Sequence, residues 1–257
     1  FVDFGIGQVV TADLAGEIGA GRMDRVKRLW FGFAKTELAL GLSLSVGLFL
    51  FSLMPQEKYG FSFPVLLRIA SGMLFLNTFR NIILVTFGGF SRFKALSLLQ
   101  AFESVAKFGL VVLIVLYFKF GAVGALASYA LAMFLAVVFI GLPLLFNTLC
   151  HFRGVKASDE PIFKQLLMGH GKFQVISQPI KNFFEGVRGW IITIFAGVEG
   201  LAIFQVAWQF YSYISMFLGA IEAVIMPIFS EELSRNLEMA KKILARMTKY
   251  ITWLGLA

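Results

Sequence analysis

Cysteine and histidine are nearly missing from this chain: Cys150 stands alone, and His151 and His170 are the two histidines. One thiol cannot close an intramolecular disulfide, and one cysteine with two histidines cannot build a structural zinc site of ordinary ligand spacing. Charged residues are scarce too, at 15% against 58% hydrophobic, with a mean hydropathy of +0.81. That balance lies outside the range of soluble globular domains. No Walker loop or dinucleotide fingerprint occurs, and neither histidine has a carboxylate and nucleophile at a recognisable catalytic spacing. The sequence therefore offers no catalytic residue, metal site or cofactor, and an enzyme is not the expectation.

What is present is apolar sequence in long runs. A hydrocarbon core about 30 Å thick needs roughly 20 apolar residues per helical crossing. Eight such stretches stand out, at 1–19, 29–53, 63–88, 97–118, 122–147, 167–196, 201–228 and 243–257. The expected fold class is all-α, a polytopic membrane protein. The first stretch starts at Phe1 and the last stops at Ala257 in mid-span, so both ends read as truncated.

The net charge of +8 has a simple source. Sixteen Lys and Arg fall in alternate connections, from Arg22 to Lys35, at Arg92 and Lys94, from Arg153 to Lys172, and from Arg235 to Lys249. The other connections hold three, Lys58, Arg68 and Lys119. This bias places the basic loops in the cytoplasm, against anionic headgroups, and calls for no nucleic acid.

An internal repeat accompanies the bias. Glu17, Asp24, Val26, Lys27, Arg28 and Lys35 recur 214 residues later as Glu231, Glu238, Ala240, Lys241, Lys242 and Lys249. Six expected crossings separate the copies, so both run in the same direction. Parallel repeats of this kind are a feature of transporters, although two cytoplasmic loops followed by helices can share basic residues by composition alone. The Gly5-Ile6-Gly7 pattern lies inside an apolar helix and reads as helix packing.

Charge within the spans is more specific, because it costs a few kcal/mol at the bilayer centre and so marks protein interiors or wet cavities. In 167–196, Gln174, Gln178, Lys181, Glu185 and Arg188 follow steps of four, three, four and three, along one helical stripe. Gln100, Glu103 and Lys107 repeat the pattern in 97–118, and Asn77, Arg80 and Asn81 cluster in 63–88. Glu103 with Lys107, and Glu185 with Lys181 or Arg188, have the spacing of internal ion pairs. Four cations against two anions leave positive charge over, and guanidinium groups bind phosphate oxygens in bidentate fashion. Arg80, Lys107, Gln178, Lys181 and Arg188 are therefore candidate ligands for an anionic, pyrophosphate-bearing substrate. Glu103, Glu185 and Glu222 are candidate proton or sodium sites.

The chain also resembles a known family. Phe93-Lys94-Ala95 to Gln100, an apolar span, and then Phe120-Gly121-Ala122-Val123-Gly124-Ala125 look like helices five and six of polysaccharide and oligosaccharide flippases. Phe195-Ala196-Gly197-Val198-Glu199-Gly200 and the closing Ile225-Met226-Pro227-Ile228-Phe229-Ser230-Glu231 are similar to helices seven and eight of the same family. Phe1-Val2-Asp3-Phe4-Gly5-Ile6-Gly7 with the Gly19-Ala20-Gly21-Arg22 turn looks like its helix two. Each motif is short, and their order is what makes the match. The resemblance implies membership of the multidrug, oligosaccharidyl-lipid and polysaccharide exporter superfamily, with two six-helix lobes around a central cavity. On that layout 1–147 is the first lobe from helix two to helix six, 148–166 a cytoplasmic linker, and 167–257 the start of the second lobe. It further implies alternating access, a bacterial or archaeal cytoplasmic membrane, and a polyprenyl-pyrophosphate-linked glycan as cargo.

Three alternatives share parts of this pattern. A multidrug antiporter would have the same fold but favour an acidic cavity for cationic cargo. A lipid II flippase also handles pyrophosphate and is poorly separated by sequence. A membrane-embedded glycan polymerase or ligase would use arginines as well, but with a large outward loop, whereas the outward connections here are about ten residues or fewer.

Overall fold

The computed structural model describes residues 5–54, 62–152, 154–158, 160–169, 171–235 and 237–256, and among them there is no β-strand. The helices are α1 (Ile6–Gly19), α2 (Met23–Phe51), α3 (Ser62–Gly89), α4 (Phe93–Val111), α5 (Gly121–Leu135), α6 (Leu142–Leu149), α7 (Ile162–Met168), α8 (Gly171–Arg235) and α9 (Leu237–Leu256). Among the described residues, four helical segments have the length and apolar composition to span a bilayer, at Met23–Phe51, Phe63–Gly89, Phe93–Tyr117 and Gly121–Leu149. They correspond to the second to fifth apolar stretches of the sequence.

The turns follow from local chemistry. After α1, Gly21 adopts a left-handed φ of 73°, and the Arg22 amide donates back to the Glu17 carbonyl at 3.0 Å. The link from α3 to α4 repeats this geometry with Ser91 at φ 51° and the Arg92 amide on the Phe87 carbonyl at 2.8 Å. Both are left-handed C-terminal closures that satisfy carbonyls a helix end would leave open. The Arg22 guanidinium, beside Glu17 at 2.6 Å, is held above its ordinary pKa chiefly by that hydrogen bond.

Two features depart from the sequence expectation and one agrees with it. The stretch expected from 167 begins at Gly171, because 162–168 forms the separate short helix α7, broken at Gly169 by a ψ of −125°. α8 is two limbs, 171–196 and 198–235, joined at Gly197 with φ 68° and ψ −176°, a conformation open to glycine. This agrees with the expected break between 196 and 201. Two π-helical turns, Val112–Tyr117 after α4 and Ala136–Gly141 between α5 and α6, have no signature in the sequence, since apolar periodicity does not separate them from α-helix.

The core lies where α1, α2, α3 and α4 meet, with Val10, Leu14, Val26, Leu29, Phe33, Ile83, Phe87 and Leu99 fully buried. Trp30 donates its indole N–H to the Thr86 hydroxyl at 2.7 Å, and Phe152 covers this end by packing against Trp30 and Phe90. Lys27 Nζ donates to the Phe152 and Val155 carbonyls at 3.3 and 2.7 Å, while Arg92 reaches the Thr148 hydroxyl at 3.1 Å. Three of the basic connections thus gather at one end of the bundle, as a shared cytoplasmic face requires.

α8 packs along α1. The Ser230 hydroxyl donates to the Ala12 carbonyl at 2.8 Å, and a β-carbon on Gly16 would stand 3.4 Å from Ser230 Oγ. Gly16 and Ser230 are separated by the 214-residue repeat offset. Equivalent positions of a parallel repeat meet each other only close to the pseudo-twofold axis that relates the copies. Gly7 makes the expected close approach, its hypothetical β-carbon falling 3.0 Å from Val85 Cγ2.

The tightest glycine contact is between α2 and α3, where a β-carbon on Gly41 would overlap the Thr78 side chain, including its own β-carbon. Gly47, on the same helix, has open space around it. Gly41→Leu is expected to destabilise the protein by about 1–3 kcal/mol or more through overpacking, and Gly47→Leu to leave it near the parent. Thermal melts in detergent check this contrast.

Candidate functional site

α3 and α4 bring three of the sequence candidates together. Glu103 is buried, with its side chain 4% exposed, and accepts from Arg80 Nε at 2.7 Å and from Lys107 Nζ at 2.8 Å. Arg80 lies about 14 Å from the end of α3 at Gly89, and Glu103 about 15 Å from the start of α4 at Phe93, at 1.5 Å per residue. The cluster therefore lies well inside two helices that are long and apolar enough to cross a bilayer. Its formal charge is one positive unit, and the cations remain open to their surroundings at 26% exposure for Arg80 and 36% for Lys107. The Lys107 ammonium also stands 5.6 Å from the centre of the Tyr129 ring. The intrahelical pair Glu103–Lys107 forms as its spacing predicts, and Arg80 joins from α3.

The stripe on α8 divides into two parts. Its first portion packs on α1: Gln174 donates to Gln8 Oε1 at 3.1 Å, and Gln174 and Gln178 approach so closely that a β-carbon on Gly5 would lie 2.9 and 3.1 Å from them. Gly5 has φ 67°, and both constraints require glycine there. Gln178 also donates to Asn182 at 3.4 Å. Farther along, Lys181 and Glu185 are exposed. The expected pairing of Glu185 with Lys181 or Arg188 does not occur among the described residues. Arg188 instead turns toward the second limb of α8 and stacks 3.6 Å from the Trp208 ring centre, with Phe204 at 5.5 Å. Such stacking uses the face of the guanidinium and leaves its in-plane N–H donors available. Arg188 has no ion-pair partner among the described residues. The Glu222 side chain lies outside the described residues.

Glu37 is a carboxylate that the sequence reading did not single out. It accepts from Asn81 Nδ2 at 2.8 Å and, with Asn77, Thr78 and Gly41, lines a cavity of about 20 Å³ between α2 and α3, room for about one water molecule. The signal was present, since Thr36-Glu37 interrupts the apolar run of α2.

Helices of this length with a polar, charged interior define a polytopic membrane protein. Comparison with known proteins gives the class more narrowly. The family model described as polysaccharide biosynthesis protein matches residues 1–232, and the chain belongs to that family. Solved structures show its fold to be that of the MATE transporters of the MOP superfamily. One MATE protein in complex with MaD5 matches with a TM-score of 0.76 at 18% identity, over 98% of this chain and 59% of that one. An outward-facing multidrug-resistance MATE transporter matches at 0.73 and 18%, over 98% and 58%. A MOP superfamily transporter from Pyrococcus furiosus, described as having reverse polarity of its binding pocket that suggests a different function, matches at 0.74 and 18%, over 98% and 58%. The chain thus spans somewhat under three-fifths of the length of these structures. No curated protein matches it.

Glu103→Gln is expected to lower stability by ~2–3 kcal/mol by leaving Arg80 and Lys107 uncompensated, toward the weaker end for a buried pair because both cations are partly exposed. Glu185→Gln should leave the melting temperature within a degree or so of the parent. Parallel melts of the two variants test this.

Proposed function

We propose that this chain is part of a transporter that moves a polyprenyl-pyrophosphate-linked oligosaccharide across the cytoplasmic membrane of a bacterium or archaeon, as a step in cell-surface polysaccharide biosynthesis. It does so without enzymatic chemistry. The observation supporting this most strongly is the surplus of positive charge within the spans: a cluster of net charge +1 on α3 and α4, and on α8 Lys181 and Arg188 beside the single carboxylate Glu185, neither cation with an ion-pair partner among the described residues, so that with Glu37 included four cations stand against three carboxylates. A pyrophosphate would supply the missing negative charge and accept the in-plane donors of Arg188. The prenyl tail would stay in lipid.

Helices α1 to α6 then belong to a first lobe, 1–147, and α8 and α9 to a second, 167–257, with 148–166 as the cytoplasmic linker. The Gly16–Ser230 contact is a place where the two lobes would meet when the cytoplasmic side is closed. Binding the anionic headgroup in the inward-open state would neutralise the cationic residues and favour closure, provided affinity differs between the two states. Coupling to a proton or sodium ion would draw on Glu103, Glu185 or Glu222. Within this superfamily a multidrug antiporter for cationic cargo is the second reading, and the sign of the exposed charge speaks against it. The Pyrococcus furiosus relative, whose pocket is described as reversed in polarity, is a precedent within this fold for a change of function with pocket charge.

In vesicles reconstituted with the full-length protein and a fluorescent polyprenyl-pyrophosphate glycan, Lys181→Ala combined with Arg188→Ala should reduce flipping at least about tenfold. Lys119→Ala, on an exposed outer turn, should change it little. Unaltered flipping in the double variant would remove the cationic-cavity reading. A disulfide between Gly16→Cys and Ser230→Cys should arrest flipping and release it on reduction.

A further inference from the structure

Amide side chains gather where α1 meets the first limb of α8. Gln8 accepts from Gln174 Nε2 at 3.1 Å, and Gln178 donates to Asn182 at 3.4 Å. Gln174 and Gln178, one turn apart, both lie over Gly5, whose missing side chain lets α8 come this close. Gln8 itself is exposed, and Gln174 and Gln178 are half-buried.

These hydrogen bonds do not use up the amides. A carboxamide offers two N–H donors and one carbonyl acceptor. Gln8 engages only its carbonyl, and Gln174 and Gln178 each engage only their amide nitrogen. Among the described residues nothing takes the N–H pair of Gln8 or meets the side-chain carbonyls of Gln174 and Gln178. In hydrocarbon such groups would each cost a few kcal/mol, so this surface is one that receives polar atoms. Its place is fixed by Thr11, three residues on and on the same side of α1 as Gln8. A β-carbon on Gly88 of α3 would stand 2.8 Å from Thr11 Cγ2. Gln8 therefore looks into the crevice between α3 and α8, the helices that carry Arg80 and Lys181.

The polar stripe of α8 has a neutral half and a charged half. Gln174 and Gln178, with Gln8 beside them, carry no charge, and Lys181, Glu185 and Arg188 continue the same line toward Gly197. Gln178 and Lys181 are about 4.5 Å apart along the axis, at 1.5 Å per residue. A molecule that is anionic at one point and uncharged but rich in hydroxyl groups next to it matches this order. A phosphate without a sugar would leave the neutral half unused.

We infer that Gln8, Gln174 and Gln178 form a sugar subsite, where the amides hydrogen-bond the hydroxyl and acetamido groups of the sugar attached to the pyrophosphate. The assignment rests on the cargo proposed above and adds the residues that tell a glycan-bearing lipid from a bare one.

The test is native mass spectrometry of the full-length protein titrated with bare polyprenyl pyrophosphate and with the same lipid carrying one N-acetylhexosamine. The parent should hold the sugar-bearing lipid about tenfold more tightly, a preference of the size that two neutral hydrogen bonds give. Gln8→Met keeps the length of the side chain and removes the amide. It should cut the preference to about threefold, and Gln8→Met with Gln174→Met to about parity, with affinity for the bare lipid within about twofold of the parent. Arg188→Ala should weaken both lipids alike. A purely helix-packing role for the amides would move both lipids together, or the melting temperature, and not their ratio. The parental ratio in the Gln8→Met variant, or equal loss of both lipids from it, would overturn the subsite. Gln8 is exposed, so that single variant carries the test even where the double variant melts early. A parent that binds both lipids equally overturns the subsite and leaves the cargo reading standing, whereas a parent that binds neither overturns both.

Discussion

Hydrocarbon does not solvate charge, and that constraint governs what this chain can do with Arg80, Glu103 and Lys107. A lone ionised side chain at mid-depth costs several kcal/mol, so Glu103 is buried only because two cations hold both its oxygens. The pairing fixes the relative register of α3 and α4. It leaves one positive unit that the protein does not neutralise within the cluster. The same physics acts on Arg188, whose charge rests against the Trp208 ring instead of a carboxylate. In both places structure and binding capacity come from one arrangement, since the partner that makes burial tolerable leaves donors over.

α1 is the helix that α2, α3 and α8 share. Its residues meet α2 and α3 on one side and α8 on the other, and small residues at each meeting point allow the approach: Gly5 under Gln174 and Gln178, Gly7 against Val85, Gly16 against Ser230. In lipid, where water offers no drive for helices to associate, such close backbone packing is a principal source of adhesion. A helix held by small-residue contacts and a few hydrogen bonds can also part from its neighbour at modest cost. On the proposed two-lobe layout, that suits α1 to the boundary between the lobes.

Much of the architecture was legible in the sequence because the bilayer imposes its length on helices. The second to fifth apolar stretches correspond to helices within a few residues, and the Gly197 break falls between the sixth and seventh. The expected repeat is a matter of charges in register, and Gly16 and Ser230, which lie against each other, are separated by the same 214 residues. The π-helical turns were not legible, since they differ from α-helix by one hydrogen-bond step and not by composition. α7 was not legible as a helix, since 162–166 fell in the linker and 167–168 in the next apolar stretch, and seven residues are too few for an apolar period to mark. Of the site, the intrahelical pair Glu103–Lys107 was readable from its spacing, whereas its third member, Arg80, belongs to another helix. The stacking of Arg188 on Trp208 depends on the fold back at Gly197, which a one-helix stripe cannot show. Glu37 belongs with them, since its hydrogen bond to Asn81 joins two helices and has no spacing along either one.

The central claim is that cations within the spans hold the anionic head of a lipid-linked glycan. Mass spectrometry of lipids that co-purify with the full-length protein, set beside an Arg80→Ala, Lys181→Ala and Arg188→Ala variant, tests it most directly. The account predicts polyprenyl-pyrophosphate glycans on the parent and their loss from the variant. A parent that carries none, and binds cationic drugs instead, would contradict it.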